Sequence, residues 1–180
     1  GLPILLIGVA SIAAAWAYSG GPRPISGTPL GEIFVVACFG VAAVVGIEWL
    51  AVQMVTLHAV LGGVAIGLPA AAVLTVNNHR DRVEDEANGR RTLAILLGPG
   101  RTVALYAAET IGAVLLAASL APDGRGAALV ALALAPATLI AWRLTRVPIG
   151  RALNAHLGAT AGFQMVLAIL MAMALGGGAP

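Results

Sequence analysis

The sequence predicts an all-α, polytopic transmembrane helix bundle of six spans, and three observations predict it. Hydrophobic residues make up 59 % of the chain and charged residues 10 %, and the mean hydropathy is +0.95, beyond what a water-soluble domain carries. A hydrocarbon core about 30 Å thick needs roughly 20 apolar residues per helix. Apolar runs of that order recur at 1–19, 31–52, 55–76, 102–121, 126–142 and 155–176. Finally, polarity is concentrated between the runs: fifteen residues, Asn77 to Arg91, hold eight of the eighteen charged side chains. Residues 1–180 therefore read as one membrane domain, with its site between helices or on the short loops.

Each element has its own signature. The first run has neither a basic leader nor a small-residue cleavage signature of an export signal. After it, the glycines and prolines of Tyr18 to Glu32 forbid a continuous helix, and such turns can bring backbone amides near an anion or simply connect two helices. The second run holds Cys38, the chain's single cysteine, which excludes a disulfide framework or a cysteine metal site within one copy. The third carries Gly63-xxx-Gly67, two small residues on one helical face that permit close approach of a neighbour, and Pro69, expected to kink it. Glu109 falls mid-span in the fourth run, where an ionisable group is costly enough to imply a function or a hydrogen-bonded partner. The sixth run repeats the small-residue pattern at Gly158-xxx-Gly162 and holds Gln164, while His58 and His156 lie near helix ends as interfacial residues.

Orientation follows from the ten arginines, since basic residues favour cytoplasmic loops. Nine of them fall in the 20–30, 77–101 and 143–154 connections, and only Arg125 falls on the other side. Those three loops are expected in the cytoplasm of a multi-pass cell-membrane protein, with both ends of this chain on the outer face. Membrane lipid is the expected surrounding partner, and nucleic acid is not expected as one. Arg143, Arg146 and Arg151 of the third loop read as topology determinants near anionic headgroups.

The second loop carries chemistry. Asp81 and Asp85 are four apart, so a helix continuing through them puts both on one face, one turn from each other. Paired carboxylates suit Mg²⁺, which is usually held by one or two carboxylates together with substrate phosphate oxygens. Arg80, Arg90 and Arg91 flank the pair and can take phosphate oxygens bidentately. Glu84 and Glu86 point elsewhere and are expected in solvent. A salt-bridged hairpin without catalytic role has the same spacing.

Taken together, Asn77-Asn78-His79-Arg80-Asp81, Asp85, Gly89-Arg90-Arg91-Thr92-Leu93-Ala94 and Leu97-Gly98 resemble the second aspartate-rich motif of the UbiA superfamily of intramembrane prenyltransferases. Within it they look most like the 1,4-dihydroxy-2-naphthoate polyprenyltransferases of menaquinone synthesis. Tyr18-Ser19-Gly20-Gly21-Pro22-Arg23-Pro24, Gly31-Glu32 and Phe39-Gly40 resemble further segments of the same enzymes. The resemblance implies a nine-helix bundle, of which these six spans are the last six, around a central cavity with a lateral opening for an isoprenoid tail. It implies a transferase moving a polyprenyl group from polyprenyl diphosphate to an aromatic acceptor, with decarboxylation when the acceptor is the naphthoate. Asp81 and Asp85 become catalytic Mg²⁺ ligands, and Asn78, Arg80, Arg90 and Arg91 face the diphosphate. Arg90 stands where the family usually has lysine.

The family's first aspartate-rich motif, of the Asn-Asp-xx-Asp type, is absent before residue 32. The chain is accordingly expected to be the C-terminal portion of a longer enzyme, or else a degenerate copy that cannot catalyse on its own. Two other readings stand beside this one. The first is prenylation of 4-hydroxybenzoate, homogentisate or a haem or chlorophyll precursor on the same scaffold. The second is a secondary transporter with an Asp-Arg-x-Gly-Arg-Arg loop, which the six residues between Arg82 and Gly89 argue against.

Overall fold

The computed structural model describes residues 2–176 and is helical throughout, with no strand among the described residues. Helix α1 (Leu2–Ser19) leads through a 3₁₀ turn at Ile25–Gly27 into a span running Gly31–Val52. That span is made of α2 (Gly31–Val35), a π-helical stretch (Val36–Ala42) and α3 (Ala43–Val52). Helix α4 (Leu57–Arg80) and the short α5 (Arg82–Ala87) follow, then α6 (Leu93–Ser119), which is broken by a kink at Gly98 with φ 75° and ψ 171°. The pair α7 (Gly124–Ala131) and α8 (Leu134–Leu144) makes the next span, and α9 (Asn154–Gly176) the last. Five of these spans are long and apolar enough to cross a membrane, and the apolar part of α1, Ile4–Ser19, is shorter. The protein is a multi-pass membrane protein.

Helix α4 is the hub, packing against α6, the π-helical stretch and α9. Small residues let it do so. A Cβ on Gly63 would come 2.7 Å from the Val41 Cα, and one on Gly67 3.0 Å from the Val36 Cα. Gly40 faces both glycines across the contact, where a Cβ would run into the Gly63 carbonyl oxygen. Widened π turns at Val36–Ala42 present Gly40 to this contact. The pairing expected of Gly63 and Gly67 is therefore realised, whereas that of Gly158 and Gly162 is not. Among the described residues no atom beyond the helix's own backbone lies within 4 Å of a Cβ at either position, because the buried stripe of α9 runs instead through His156, Thr160, Phe163, Leu167 and Met171.

Alanines dominate the larger of the two apolar clusters. Ala65, Ala113, Ala117, Ala133 and Ala137 pack with Phe163 and Leu167, while Ala72, Val76, Tyr106 and Leu153 fill the end nearer the second loop. Polar pairs tie the helices together inside the bundle. Tyr106 and Thr160 share a hydrogen bond of 2.9 Å, and the Thr75 hydroxyl donates to both Glu109 oxygens at 3.1 and 2.9 Å. Glu109 thus has the hydrogen-bonded partner its mid-span position demands.

The second loop is less of a loop than its charges suggest. Asn77 to Arg80 complete α4, which runs unbroken through Pro69, and Arg82 to Ala87 form α5. At the far end of α4, about 36 Å away by helix rise, the Glu48 carboxylate accepts from the Thr56 amide and hydroxyl at 2.9 and 2.6 Å. Thr56 in turn caps α4 through the Ala59 amide.

Candidate active site

All three arginine-rich connections meet at one end of the bundle. The Arg90 Nη2 donates to the Ser26 carbonyl at 2.7 Å and the Arg91 amide to the Gly27 carbonyl at 2.8 Å, joining the first loop to the second. The Arg80 Nη1 donates to the Asn154 Oδ1 at 3.0 Å, joining the second to the third. Tyr18, at the end of α1, stacks on Phe34 with ring centroids 5.3 Å apart, which fixes the first loop against α2.

Asp81 sits at the joint between α4 and α5 with φ −94° and ψ 6°, close enough to helical that the Asp85 amide still reaches its carbonyl at 2.8 Å. The expected single turn between Asp81 and Asp85 is therefore kept in the backbone. Their carboxylates, however, turn to different partners. Both oxygens of Asp81 accept from Arg80, at 2.6 and 2.5 Å, and Arg80 Nη2 also donates to the Asn77 Oδ1 at 2.9 Å. Asp85 is 5 % exposed and accepts from Arg90 Nη1 at 2.7 Å through Oδ1 alone. Gly89, with φ 75°, reverses the chain so that Arg90 folds back over Asp85, and the Arg90 amide closes the turn on the Asp85 carbonyl.

The second oxygen of Asp85 is buried with no hydrogen-bond partner among the described residues. A buried carboxylate oxygen without a donor costs free energy on the order of 1–3 kcal/mol, so it calls for a cation or donor that the described residues do not supply. That orphan oxygen is one donor of the kind a hard divalent ion takes, and Asp81, one helical turn away, adds a second only when Arg80 releases one of its oxygens. Among the described residues no group of three or more His, Cys, Asp or Glu side chains converges, so further ligands would have to come from phosphate oxygens, water or other protein groups.

The other expected site residues divide. Asn78 is buried one turn deeper, where its Nδ2 donates to the Glu32 Oε1 at 3.0 Å, and Glu32 Oε2 has no hydrogen-bond partner among the described residues. Arg91 is exposed and is tied to the first loop through its backbone only. Glu84 and Glu86 are exposed, as their helix positions require.

A cavity of about 570 Å³ opens beside Asp81, lined by Arg80, Asp81, Glu84, Gly150, Arg151 and Asn154 among others. Arg151 and Asn154 had no motif to mark them, since only the tertiary fold brings them to a segment seventy residues earlier in the chain. A second cavity of about 240 Å³ lies at the opposite end, lined almost wholly by apolar groups such as Ile66, Ala117 and Met171, with His58 at its edge.

Sequence comparison decides the family. The model of the UbiA prenyltransferase family matches residues 1–157. The chain belongs to the UbiA prenyltransferase family. Among its relatives, the 1,4-dihydroxy-2-naphthoate octaprenyltransferase of Bacillus subtilis is 37 % identical over 106 residues, which cover 59 % of this chain and 34 % of that protein. The proteins of the same name from Haemophilus influenzae and Escherichia coli are 35 % identical over 136 residues and 40 % identical over 94. Those matches take in 76 % and 52 % of this chain and 40 % and 30 % of the respective relatives. This UbiA-family chain thus spans little more than a third of the length of the curated relatives it matches. No solved structure matches it significantly.

Proposed function

We propose that this chain supplies the second aspartate-rich part of a Mg²⁺-dependent prenyltransferase site, within a partial UbiA-type transmembrane domain at 1–180. The enzyme transfers a polyprenyl group from polyprenyl diphosphate to an aromatic acceptor, 1,4-dihydroxy-2-naphthoate, with loss of CO₂ in menaquinone biosynthesis. Family membership supports the reaction class, and the names of the relatives support the naphthoate as acceptor. The observation that carries the reading is the orphaned, buried Oδ2 of Asp85 between the arginines of the second loop. The nine-to-one distribution of arginines supports a cytoplasmic site in the cell membrane.

Asp81 and Asp85 would hold the metal, which when bound draws charge onto the diphosphate leaving group. Arg90 is held in place by Asp85 and by the Ser26 carbonyl, so its guanidinium meets a phosphate oxygen without first losing side-chain freedom. Arg80 is held likewise by Asp81, Asn77 and Asn154. Arg91, being free at its side chain, closes over the anion from the loop. Asn78 fixes the Glu32 carboxylate immediately beneath and so shapes the floor of the diphosphate site. As the allylic C–O bond breaks and diphosphate departs, the ring carbon forms the new C–C bond and the ring then loses CO₂. The alanine-rich helix contacts keep water from the allylic cation, which it would convert to a prenol.

The test is Asp85→Asn in protein expressed from its native reading frame and assayed in membranes with Mg²⁺, a prenyl diphosphate and the naphthoate. Near-complete loss of prenylated product and of released diphosphate is expected. Retention of wild-type turnover would overturn the reading.

A further inference from the structure

The third loop has one residue whose position its charge alone does not explain. Arg151 lines the 570 Å³ cavity next to Asp81 and Arg80, yet among the described residues it joins no salt bridge; those found are Arg80 with Asp81 and Arg90 with Asp85. An arginine that served only to fix topology near lipid headgroups has no reason to share a concave site with Asp81 and Arg80.

The loop is also built to hold it there. Gly150 takes φ 122°, a backbone conformation that side chains rarely adopt, and its carbonyl accepts from the Leu153 amide at 2.9 Å, closing the 3₁₀ turn Arg151–Leu153. Leu153 is fully buried against Val76 and Tyr106, which anchors that turn in the bundle core. One residue on, Asn154 begins α9 and accepts from the Arg80 guanidinium at 3.0 Å. Arg80 is thereby clamped from two sides, by Asn77 and Asp81 on its own helix and by Asn154 across the cavity.

We propose that the third loop is part of the diphosphate site, with Arg151 as a further phosphate-binding residue and Asn154 as the residue that positions Arg80. This rests on the prenyltransferase reading and extends it to residues outside both recognised motifs. Arg151 brings an unneutralised guanidinium to a cavity whose other arginine is already engaged by its own aspartate. It therefore favours a diphosphate, which carries a second phosphoryl group and the further negative charge on it, over a monophosphate. Asn154 has no contact with the anion in this scheme, and its effect passes through the orientation of Arg80.

The experiment measures equilibrium binding of farnesyl diphosphate and farnesyl monophosphate, with Mg²⁺, to the protein expressed from its native reading frame and placed in phosphatidylcholine nanodiscs. Arg151→Gln is expected to weaken diphosphate binding on the order of tenfold, the size of one hydrogen bond to a charged group, and monophosphate binding much less. Arg151→Lys should recover part of the loss. Asn154→Ala should weaken binding several-fold in the wild-type background and do nothing further once Arg80→Gln is present. Equal losses for the two ligands in Arg151→Gln would overturn the role of Arg151, as would an effect seen only when the discs contain phosphatidylglycerol, which would assign Arg151 to anionic lipid. Additive effects of Asn154→Ala and Arg80→Gln would overturn the positioning role. Asp85→Asn run alongside separates the two levels: if it leaves diphosphate binding intact, the parent reading fails. If it abolishes binding while Arg151→Gln changes nothing, only the present inference fails.

Discussion

Asp85 and Arg90 are joined at 2.7 Å across the turn that Gly89 makes, and the same guanidinium reaches on to the Ser26 carbonyl, so one arginine welds the second loop to the first. Planar, forked donors permit that bridge, and the single ammonium of lysine does not reproduce it. Arg90→Lys is expected to cost about 1 kcal/mol, because the arginine is partly exposed and solvent screens the pair. Thermal unfolding in detergent should show a lowered midpoint for Arg90→Lys and an unchanged one for Arg91→Lys, since Arg91 ties the loops only through its amide.

Thr75 and Glu109 make the corresponding link deeper down, between α4 and α6. Both carboxyl oxygens depend on one hydroxyl, so Thr75→Val leaves a buried polar group with no donor, at a cost of about 1–3 kcal/mol. Glu109→Leu removes the carboxyl and strands only a hydroxyl that can turn to the backbone. The double variant Thr75→Val with Glu109→Leu should therefore be less destabilised than the sum of the singles, which a double-mutant cycle in denaturant or heat would read directly.

Much of the fold was legible because lipid imposes simple rules. Apolar runs marked the spans, and the arginines correctly grouped three connections that the Ser26, Gly27 and Asn154 contacts show at one end. The one-turn backbone separation of Asp81 and Asp85 was legible because a four-residue spacing survives even a joint in the helix, whereas the different partners of their carboxylates were not. Other features depend on partners that a linear pattern does not name. A Gly-xxx-Gly pair reports small residues on one face but not what that face meets, so Gly63 with Gly67 and Gly158 with Gly162 looked alike although only the first pair meets another helix. Asn78 finds Glu32 forty-six residues earlier, and Arg80 finds Asn154 seventy-four residues later. The charges of Asn77 to Arg91 suggested a loop, but polar residues can complete a helix end that projects from the apolar core, as Asn77 to Arg80 do.

Removal of divalent cations offers a test independent of side-chain changes. With the Asp85 Oδ2 lacking a partner among the described residues, chelation by EDTA should abolish prenyl transfer, and Mg²⁺ should restore it. Mg²⁺ should also raise the unfolding midpoint of the wild type, because a ligand bound only to the folded state stabilises it. That rise should vanish in Asp85→Asn. A metal-induced shift of equal size in wild type and Asp85→Asn would place the ion elsewhere.

The contact of Gly40 with Gly63 and Gly67 yields the sharpest contrast in stability. A methyl group at Gly40 has nowhere to go: it would meet the Gly63 carbonyl and lie 2.7 Å from the Gly67 Cα, and these are backbone atoms that cannot rotate aside. Gly40→Ala must push α4 off the π-helical stretch, at an overpacking cost of about 1–3 kcal/mol. Because α4 carries Asn78 and Arg80 at its other end and leads directly into Asp81, the displacement should also weaken prenyl diphosphate binding. Gly158→Ala and Gly162→Ala have open space around the new methyl and gain helix propensity, so each should leave the unfolding midpoint unchanged or slightly raised. Thermal unfolding of the three variants in one detergent decides the matter. A Gly40→Ala protein as stable as wild type would mean that the helices do not meet at this glycine contact.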